Sequence, residues 1–262
     1  MSPRLHESRP YKPRLHRSRP RAQRRFRSLP AIAAVLILLV AGALGYAGYL
    51  GWFGGPVYRL IPATGATPPA RRGTAIVFFT GDSGFDAGMA PKVMAALAAR
   101  GVPVLAVNSL TAFATRHTPD EARGTVVAAI DRALALPGVT HVVLAGQSFG
   151  ADMVQYAASE MPVALRPRIT QVLLSVPGDT LLFKATPAGL LDGAPDRPAL
   201  PSAQAIGWAP LLCIYGADQD DSLCPQLRRP NVRTVALPGG HHLHNNAALL
   251  ADTMWQAILR GR

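Results

Sequence analysis

The sequence predicts an α/β fold, a mostly parallel β-sheet with helices on both faces, preceded by one N-terminal transmembrane helix. Two observations support this prediction. In the C-terminal part, from about residue 73, β-rich apolar runs alternate with runs of helical composition, which is typical of parallel strands joined by crossover helices. Near the N-terminus, residues 31–50 carry no charged side chain, and about twenty residues at 1.5 Å each span a bilayer's hydrocarbon layer.

Most of the net charge lies in one terminal segment. The 262-residue chain has a formal charge of +12, and residues 1–29 alone contain ten Arg or Lys and one acid. The rest is close to neutral, so the charge does not indicate a nucleic-acid-binding domain. The proline and charge content of residues 1–29 predicts that this segment is a disordered tail. By the positive-inside rule this tail stays in the cytoplasm, and the residues after the helix are exported.

We therefore expect four segments in the chain. They are a basic cytoplasmic tail over residues 1–29, a transmembrane signal anchor over residues 30–53, a linker over residues 54–72 and an α/β domain over residues 73–262. The protein is expected to cross the inner membrane once and to place this last domain in the periplasm. A cleavable signal peptide is the alternative, although its apolar stretch is normally shorter.

The individual elements follow from local patterns. A short strand is also possible within the linker, at residues 57–61. Strands are predicted at residues 74–80, 102–107, 140–145, 169–176, 210–215 and 232–237, and helices at residues 90–100, 118–136 and 245–260, with a further helix ending at residue 159. Thr118-Pro119-Asp120-Glu121 forms a capping box with proline at the first helical position. Residues 180–206 are rich in Pro, Ala and Gly, and are either a small cap or a long surface loop.

One motif indicates a catalytic function. The apolar strand over residues 142–145 runs directly into Gly146-Gln147-Ser148-Phe149-Gly150, a Gly-x-Ser-x-Gly sequence. In this context Ser148 is predicted to be a nucleophile on a sharp strand-to-helix turn above a parallel sheet. The glycines fit, because a side chain at either position would crowd the turn. The predicted fold is therefore of the α/β-hydrolase type.

A serine nucleophile needs a base and an acid that orients the base. This fold supplies them in the order Ser, Asp or Glu, His, with the acid after a late strand and the base after the last strand. Histidine suits the base because it titrates near neutrality. The candidate base is His241, with His242 second, and the candidate acid is Asp221, with Asp218 and Asp220 as alternatives.

The reaction also needs donors for the oxyanion. The backbone N–H of Phe149 supplies one by the geometry of the turn. The second is expected after the first predicted strand of the domain, in the turn that contains Asp82 and Ser83. A phosphate-binding loop is excluded there, because no Gly-Lys-Ser/Thr follows. No metal or cofactor is expected.

Cys213 and Cys224 are the only cysteines, and they have no metal-ligand spacing. Cys213 lies in an apolar run, where a buried free thiol is common. Outside the cytoplasm the two cysteines could instead form a disulfide. Both interpretations remain open from the sequence.

With these motifs placed, the chain resembles the VirJ/AcvB bacterial virulence-protein family of α/β hydrolases over residues 74–258. The blocks that match are Gly81-Asp82-Ser83-Gly84-Phe85, Ser148-Phe149-Gly150-Ala151-Asp152, Cys213-Ile214-Tyr215-Gly216, Asp221-Ser222-Leu223-Cys224 and Gly239-Gly240-His241-His242. The chain departs from the family at residues 108–114, where an arginine and a tryptophan of the family pattern are missing.

The resemblance implies a periplasmic hydrolase that removes the aminoacyl group, lysine above all, from aminoacylated phosphatidylglycerol. Its partners would be this phospholipid and the inner membrane, through residues 31–50, with no nucleic acid. Asp82 and Asp152 are candidates to receive a cationic aminoacyl group, although Asp152 also suits packing at the start of a helix. The alternatives are a carboxylesterase or thioesterase of another exported substrate, and a non-catalytic periplasmic protein linked to secretion and virulence. The oligomeric state is not predicted.

Overall fold

The computed structural model describes residues 28–261, and the chain divides into two units between residues 44 and 45. All but the last two residues of the predicted basic tail lie outside the described part. Helix α1 (Ser28–Leu50) exposes the side chains of residues 30–46. Its segment Pro30–Leu50 has a mean hydropathy of 2.3 and is long and apolar enough to cross a membrane. Membrane anchors and signal sequences share this property.

The second unit is built on one large sheet. The strands are β1 (Tyr58–Ile61), β2 (Thr74–Phe79), β3 (Val104–Val107), β4 (His141–Gln147), β5 (Ile169–Ser175), β6 (Thr180–Leu181), β7 (Arg197–Pro198), β8 (Leu211–Gly216) and β9 (Val232–Leu237). The helices are α2 (Ala90–Ala98), α3 (Ser109–Ala112), α4 (Pro119–Leu134), α5 (Phe149–Ser159), α6 (Leu200–Ala205) and α7 (Ala247–Arg260). Seven strands form the sheet in the order β1-β3-β2-β4-β5-β8-β9. The fold is the predicted mostly parallel sheet, because only β1 runs antiparallel to its neighbour.

Strand β1 comes from the segment predicted as a linker. Tyr58 pairs with Val107 and Ile61 with Val104, which adds β1 to the edge of the sheet beside β3. The sheet therefore begins before residue 73, inside residues 54–72.

Helices cover both faces of the sheet, which explains why its central strands are continuously apolar. Side chains alternate along a strand, so Ile76 and Phe78 of β2 pack on one face and Val77 and Phe79 on the other. The first face is covered by apolar residues of α2 and α7, and the second by those of α4 and α5. All four of these β2 side chains are fully buried.

Helix α4 begins at the predicted capping box. The hydroxyl of Thr118 accepts a hydrogen bond from the backbone N–H of Glu121 at 3.3 Å, and the carboxylate of Glu121 accepts one from the N–H of Thr118 at 2.6 Å. These bonds satisfy two donors that the first turn of a helix leaves free.

Residues 180–206 form a small ordered substructure. Strands β6 and β7 pair antiparallel, a short turn of 3-10 helix occupies Pro187–Gly189, and α6 follows. Leu190 and Leu191 are 82% and 65% exposed on this substructure. It contributes Ala188 to the cavity described below.

Within the second unit, two hydrogen bonds connect the residues at the end of α1 to the rest of that unit. The carbonyl oxygen of Leu50 accepts one from the side-chain amide of Asn108 at 3.1 Å, and that of Gly51 accepts one from the hydroxyl of Thr111 at 2.9 Å. Both donors lie in the segment 108–114. Leu50 itself is buried in the core.

Candidate active site

The candidate nucleophile sits on a strained turn between β4 and α5. Ser148 has φ 52° and ψ −128°, a conformation that residues with a Cβ rarely adopt. The N–H of Ser148 donates to the carbonyl oxygen of Ser175, at the end of β5, at 2.8 Å. Such strain persists only where the surroundings hold it, and it concentrates at functional sites.

The two glycines of the motif are required by close backbone contacts. A Cβ on Gly146 would overlap the carbonyl oxygen of Gly150, and a Cβ on Gly150 would overlap that of Thr80. The start of α5 therefore packs directly on the ends of β2 and β4. This contact explains the spacing Gly-x-Ser-x-Gly physically.

His241 is the histidine that reaches Ser148. It follows β9 after two glycines, and its Nε2 lies 2.8 Å from the hydroxyl oxygen of Ser148. Burial and, to a smaller extent, the charge of His242 lower the pKa of His241, while the carboxylate of Asp221 opposes them. At neutral pH the imidazole is therefore uncharged and able to accept a proton. His242 is exposed, with its ring centre 5.5 Å from that of His241.

The acid loop differs from the expected arrangement. Asp218, Asp220 and Asp221 are all exposed, and only Asp221 lines the same cavity as Ser148 and His241. Within residues 28–261, no hydrogen bond joins any of these three carboxylates to His241. The charge of Asp221 acts on His241, but without direct contact of that kind.

Gln219 occupies the position expected for the acid. Its side-chain amide nitrogen lies 3.2 Å from Nδ1 of His241, and the residue is only 8% exposed. The sequence did not indicate Gln219, because a carboxylate is the group expected at this position of the loop. The only available signal was its place between Asp218 and Asp220, in the loop where the orienting group belongs.

Cys213 and Cys224 form a disulfide, with their Cα atoms 5.4 Å apart. The bond joins β8 to the far end of the loop that carries Gln219 and Asp221. Backbone hydrogen bonds hold the same loop against the chain after β5, from Asp179 N–H to the carbonyl of Asp221 at 2.8 Å. The loop is therefore fixed at both ends and in its middle.

The candidate oxyanion donors lie beside Ser148. A Cβ built on Gly81 would lie 3.9 Å from the hydroxyl oxygen of Ser148, which places the turn after β2 next to the nucleophile. Asp82 and Ser83 of this turn line the cavity. Phe149 is the first residue of α5, directly after Ser148. The elements thus bring all three candidate donors to the same place.

The two candidate substrate carboxylates have different surroundings. Asp82 lines the cavity, and burial raises the pKa of its carboxyl group, with the hydrogen bond from Ser83 opposing this. Asp152 is not among the cavity residues, which departs from its prediction as a substrate-binding residue. Its carboxyl group accepts the N–H of Gly178 at 2.9 Å, and burial raises its pKa well above the usual range. Asp152 therefore holds the chain after β5 against α5.

The cavity has a volume of about 460 Å³. Its lining combines the turn after β2, Ser148 at the start of α5, the histidine loop and Asp221. A pocket of this size suits a small ligand or one end of a larger one. The arrangement of a serine hydroxyl on a neutral imidazole, next to backbone donors, is suited to acyl transfer.

Solved structures with the same fold include several hydrolases. Est1E from Butyrivibrio proteoclasticus is 20% identical, with a TM-score of 0.55 over 78% of this chain and 93% of that one. An alpha-beta serine hydrolase homologue from Coxiella burnetii is 14% identical, with a TM-score of 0.54 over 76% and 90%. Dienelactone hydrolase from Anabaena variabilis is 19% identical, with a TM-score of 0.52 over 78% and 91%. These similarities establish the α/β-hydrolase fold.

Comparison with curated proteins finds no significant match. The family model described as bacterial virulence protein (VirJ), in contrast, matches residues 73–261. That range covers the sheet from β2 onward, the Ser148 turn, the acid loop and the histidine loop. The chain therefore belongs to the VirJ family of bacterial virulence proteins.

Proposed function

We propose that the protein is a membrane-anchored periplasmic serine hydrolase that cleaves the aminoacyl ester of aminoacylated phosphatidylglycerol, of the lysyl type. The observation that carries the proposal is the 2.8 Å contact between the Ser148 hydroxyl and Nε2 of His241. It brings a candidate base next to a candidate nucleophile at the cavity. The remaining arguments concern the kind of ester and its location.

The chemistry is acyl transfer to water. The Ser148 oxygen attacks the ester carbonyl while its proton passes to Nε2 of His241, and the carbonyl π electrons move onto oxygen beside Phe149 and the turn of Asp82. Collapse of this intermediate breaks the bond to the alcohol of the lipid, which leaves with the proton from His241. A water molecule then releases the amino acid by the same steps, again with His241 as base.

The cavity charge supports an aminoacyl substrate. Asp82 and Asp221 line the cavity, and among its lining residues in the described part there is no Lys or Arg. An aminoacyl group carries at least one ammonium at neutral pH, and lysine carries two. Carboxylates at the cavity favour such a cation over an anionic ester.

Helix α1 supports a substrate in a membrane. Segment Pro30–Leu50 has the length and hydropathy of a bilayer span, and the preceding ten basic residues favour a cytoplasmic N-terminus. This orientation puts the serine hydrolase domain in the periplasm at the surface of the inner membrane. Phosphatidylglycerol headgroups are presented at such a surface.

The proposal is tested with lipid extracts from cells that make aminoacyl-phosphatidylglycerol. The unmodified protein is expected to lower the level of this lipid, and Ser148→Ala is expected to leave it high. Ser159→Ala, at the other end of α5 and outside the cavity, is the matched control and should behave like the unmodified protein. If Ser148→Ala lowers the lipid as strongly as the unmodified protein does, the proposal is wrong.

Labelling with a fluorophosphonate separates the remaining outcomes. Labelling of Ser148 without any change in aminoacyl lipid would indicate an esterase or thioesterase of another exported substrate. Absence of labelling in the folded protein would indicate a binding protein without catalysis.

A further inference from the structure

Gln219 is the one side chain within hydrogen-bond distance of Nδ1 of His241 in the described part of the chain. Its amide nitrogen lies 3.2 Å from Nδ1 and 3.4 Å from the carbonyl oxygen of Pro177. Its amide oxygen is buried and has no hydrogen-bond partner among the described residues. A buried oxygen without a partner is costly, so this environment is incomplete as it stands.

The reaction imposes a requirement at Nδ1. For Nε2 of His241 to take the proton of Ser148, the neutral ring must carry its own proton on Nδ1, and the charged ring needs an acceptor there. The amide nitrogen of Gln219 can only donate, which leaves Nδ1 bare and the proton on Nε2. In that tautomer His241 donates to Ser148 and cannot act as its base.

A half-turn of the Gln219 amide places at Nδ1 the acceptor that the reaction requires. The oxygen and nitrogen of an amide have nearly the same shape, so the exchange needs almost no extra room. The oxygen then accepts the proton of Nδ1 at the same 3.2 Å separation and gains the partner that it lacks. The amide nitrogen moves to the buried position of the oxygen and gives up its hydrogen bond to the carbonyl oxygen of Pro177, so the exchange serves the histidine at a cost to the amide.

The other groups around His241 do not meet this requirement. His242 is exposed and its charge opposes protonation of His241, while Asp221 is exposed and acts through its charge without a hydrogen bond to the ring. The disulfide from Cys213 to Cys224 closes the loop that holds Gln219 in place. Gln219 is therefore the buried side chain placed to orient the ring.

We propose that Gln219 is the positioning residue of the base: its amide oxygen holds the Nδ1 proton of His241 and so keeps Nε2 free to accept the proton of Ser148. The proposal deepens the proposed serine hydrolase function and rests on it. It assigns to a neutral amide the orienting role for which the sequence predicts a carboxylate.

Two variants of the full chain test the role by rate. Gln219→Met keeps the approximate volume and removes the hydrogen bond, and is expected to lower kcat/KM for ester hydrolysis by about 10- to 100-fold, the effect of losing one buried hydrogen bond. Gln219→Glu retains an acceptor and is expected to restore most of the activity, with the acid limb of the pH profile moved to higher pH. Gln226→Met, in the same loop but exposed, is the matched control and should leave the rate unchanged.

A spectroscopic measurement tests the role without relying on activity. Nitrogen-15 NMR of histidine-labelled full chain in detergent micelles reports which ring nitrogen of His241 carries the proton. We expect the Nδ1–H tautomer in the unmodified protein and a loss of this preference in Gln219→Met, with no change in Gln226→Met.

Two outcomes overturn the inference. They are an unchanged rate in Gln219→Met, and an unchanged His241 tautomer in that variant, whether or not the tautomer responds to Asp221→Asn. Failure of the unmodified protein to react with a fluorophosphonate contradicts the proposed function instead, and the NMR measurement still decides the role of Gln219.

Discussion

The hydroxyl oxygen of Ser148 lies 2.8 Å from Nε2 of His241, although 93 positions separate the two residues along the chain. The loops that carry them follow β4 and β9, and strands β5 and β8 lie between these two in the sheet. Because all four strands are parallel, their C-terminal ends meet at one edge. The glycines before His241 pack on the end of β8, where a Cβ on Gly216 would overlap the carbonyl oxygen of Gly240, and so let the loop reach inward.

If Ser148 and His241 act as one unit, their substitutions will not be additive. We expect Ser148→Ala and His241→Gln each to lower kcat for ester hydrolysis by about 10⁴-fold or more, and the double variant to be no slower than the slower single variant. Steady-state kinetics of the purified full chain measure this. A double variant that loses the product of the two single effects would mean that the residues act independently.

The pH profile should report the environment of His241. A histidine must be neutral to act as base, so activity falls as pH drops through the pKa of the free enzyme's base. Because burial lowers the pKa of His241, we expect the acid limb of kcat/KM to lie below the ordinary value of about 6.5. A limb above that value would contradict the burial argument.

Removing the charge of Asp221 and removing that of His242 should move the acid limb of the pH profile in opposite directions. Asp221→Asn removes a charge that raises the pKa of His241, so the limb should move to lower pH, whereas His242→Gln removes a repelling cation and should move it to higher pH. Asp252→Asn, whose partner is Arg100 on the surface, serves as the control and should leave the limb in place.

The second glycine of the motif should be intolerant of a methyl group. Gly150→Ala places its Cβ against the carbonyl oxygen of Thr80, and we expect a loss of about 1–3 kcal/mol in the free energy of unfolding. Gly124→Ala is a matched control, because this glycine is exposed in α4 with nothing within 4 Å of a new Cβ. There we expect a gain of about 1 kcal/mol from helix propensity.

Thermal or urea unfolding of the full chain in detergent measures both changes. Equal effects of the two substitutions would show that the backbone contact between α5 and β2 does not constrain the turn.

The buried carboxyl group of Asp152 should lower the free energy of unfolding as pH rises. Its carboxyl group has a raised pKa in the folded protein, so its contribution to stability is fully present below the unfolded value of about 3.9 and is lost as pH rises through the folded pKa. Asp152→Asn keeps an acceptor for the N–H of Gly178 without the charge. We therefore expect this variant to be more stable than the unmodified protein at neutral pH, as measured by urea unfolding.

Asp86 provides a control of opposite sign. Its hydrogen bonds with Arg59, at 2.6 and 3.0 Å, lower its pKa, so its stabilisation is present at neutral pH and is lost as pH falls. Asp86→Asn should therefore lower stability at neutral pH, by less than about 1 kcal/mol because the pair is exposed. The same sign for both variants would refute the assignment for Asp152.

Reduction of the disulfide should affect both stability and catalysis. Removing the bond with Cys213→Ala and Cys224→Ala together is expected to lower the free energy of unfolding by about 2–4 kcal/mol. Because the closed loop carries Gln219 and Asp221, ester hydrolysis should fall as well. Treatment with a reductant should change the unmodified protein but not the double variant, and an equal response of both would point to a different target of the reductant.

The main strands and the helices α2, α4, α5 and α7 could be predicted because each leaves a local pattern, whereas the short helices α3 and α6 were not predicted. Continuous apolar runs such as that of β2 occur where both faces are buried, and the capping box at Thr118 is read from four residues. The order of nucleophile and histidine along the chain likewise follows from where parallel strands end. Strand β1 was harder to assign, because a four-residue edge strand between prolines has little periodicity.

The contact of Gln219 could not be predicted, because it depends on how a loop is folded. In that loop Asp218, Asp220 and Asp221 have the expected chemistry, and only the three-dimensional path of the chain decides which side chain turns toward Nδ1 of His241. The state of Cys213 and Cys224 was open for a similar reason, since the sequence contains no measure of the distance between them. The pairing of β6 with β7 has only two residues on each side and leaves no pattern.

The hydrogen bonds from Asn108 to Leu50 and from Thr111 to Gly51 fix the backbone at the point where the apolar helix ends. Residues 45–51 therefore belong to the same compact unit as the sheet, with no flexible linker between them. If the proposed membrane anchor and lipid substrate are correct, the enzyme reaches new lipid molecules by lateral diffusion in the bilayer, and its rate of encounter with them should rise with bilayer fluidity.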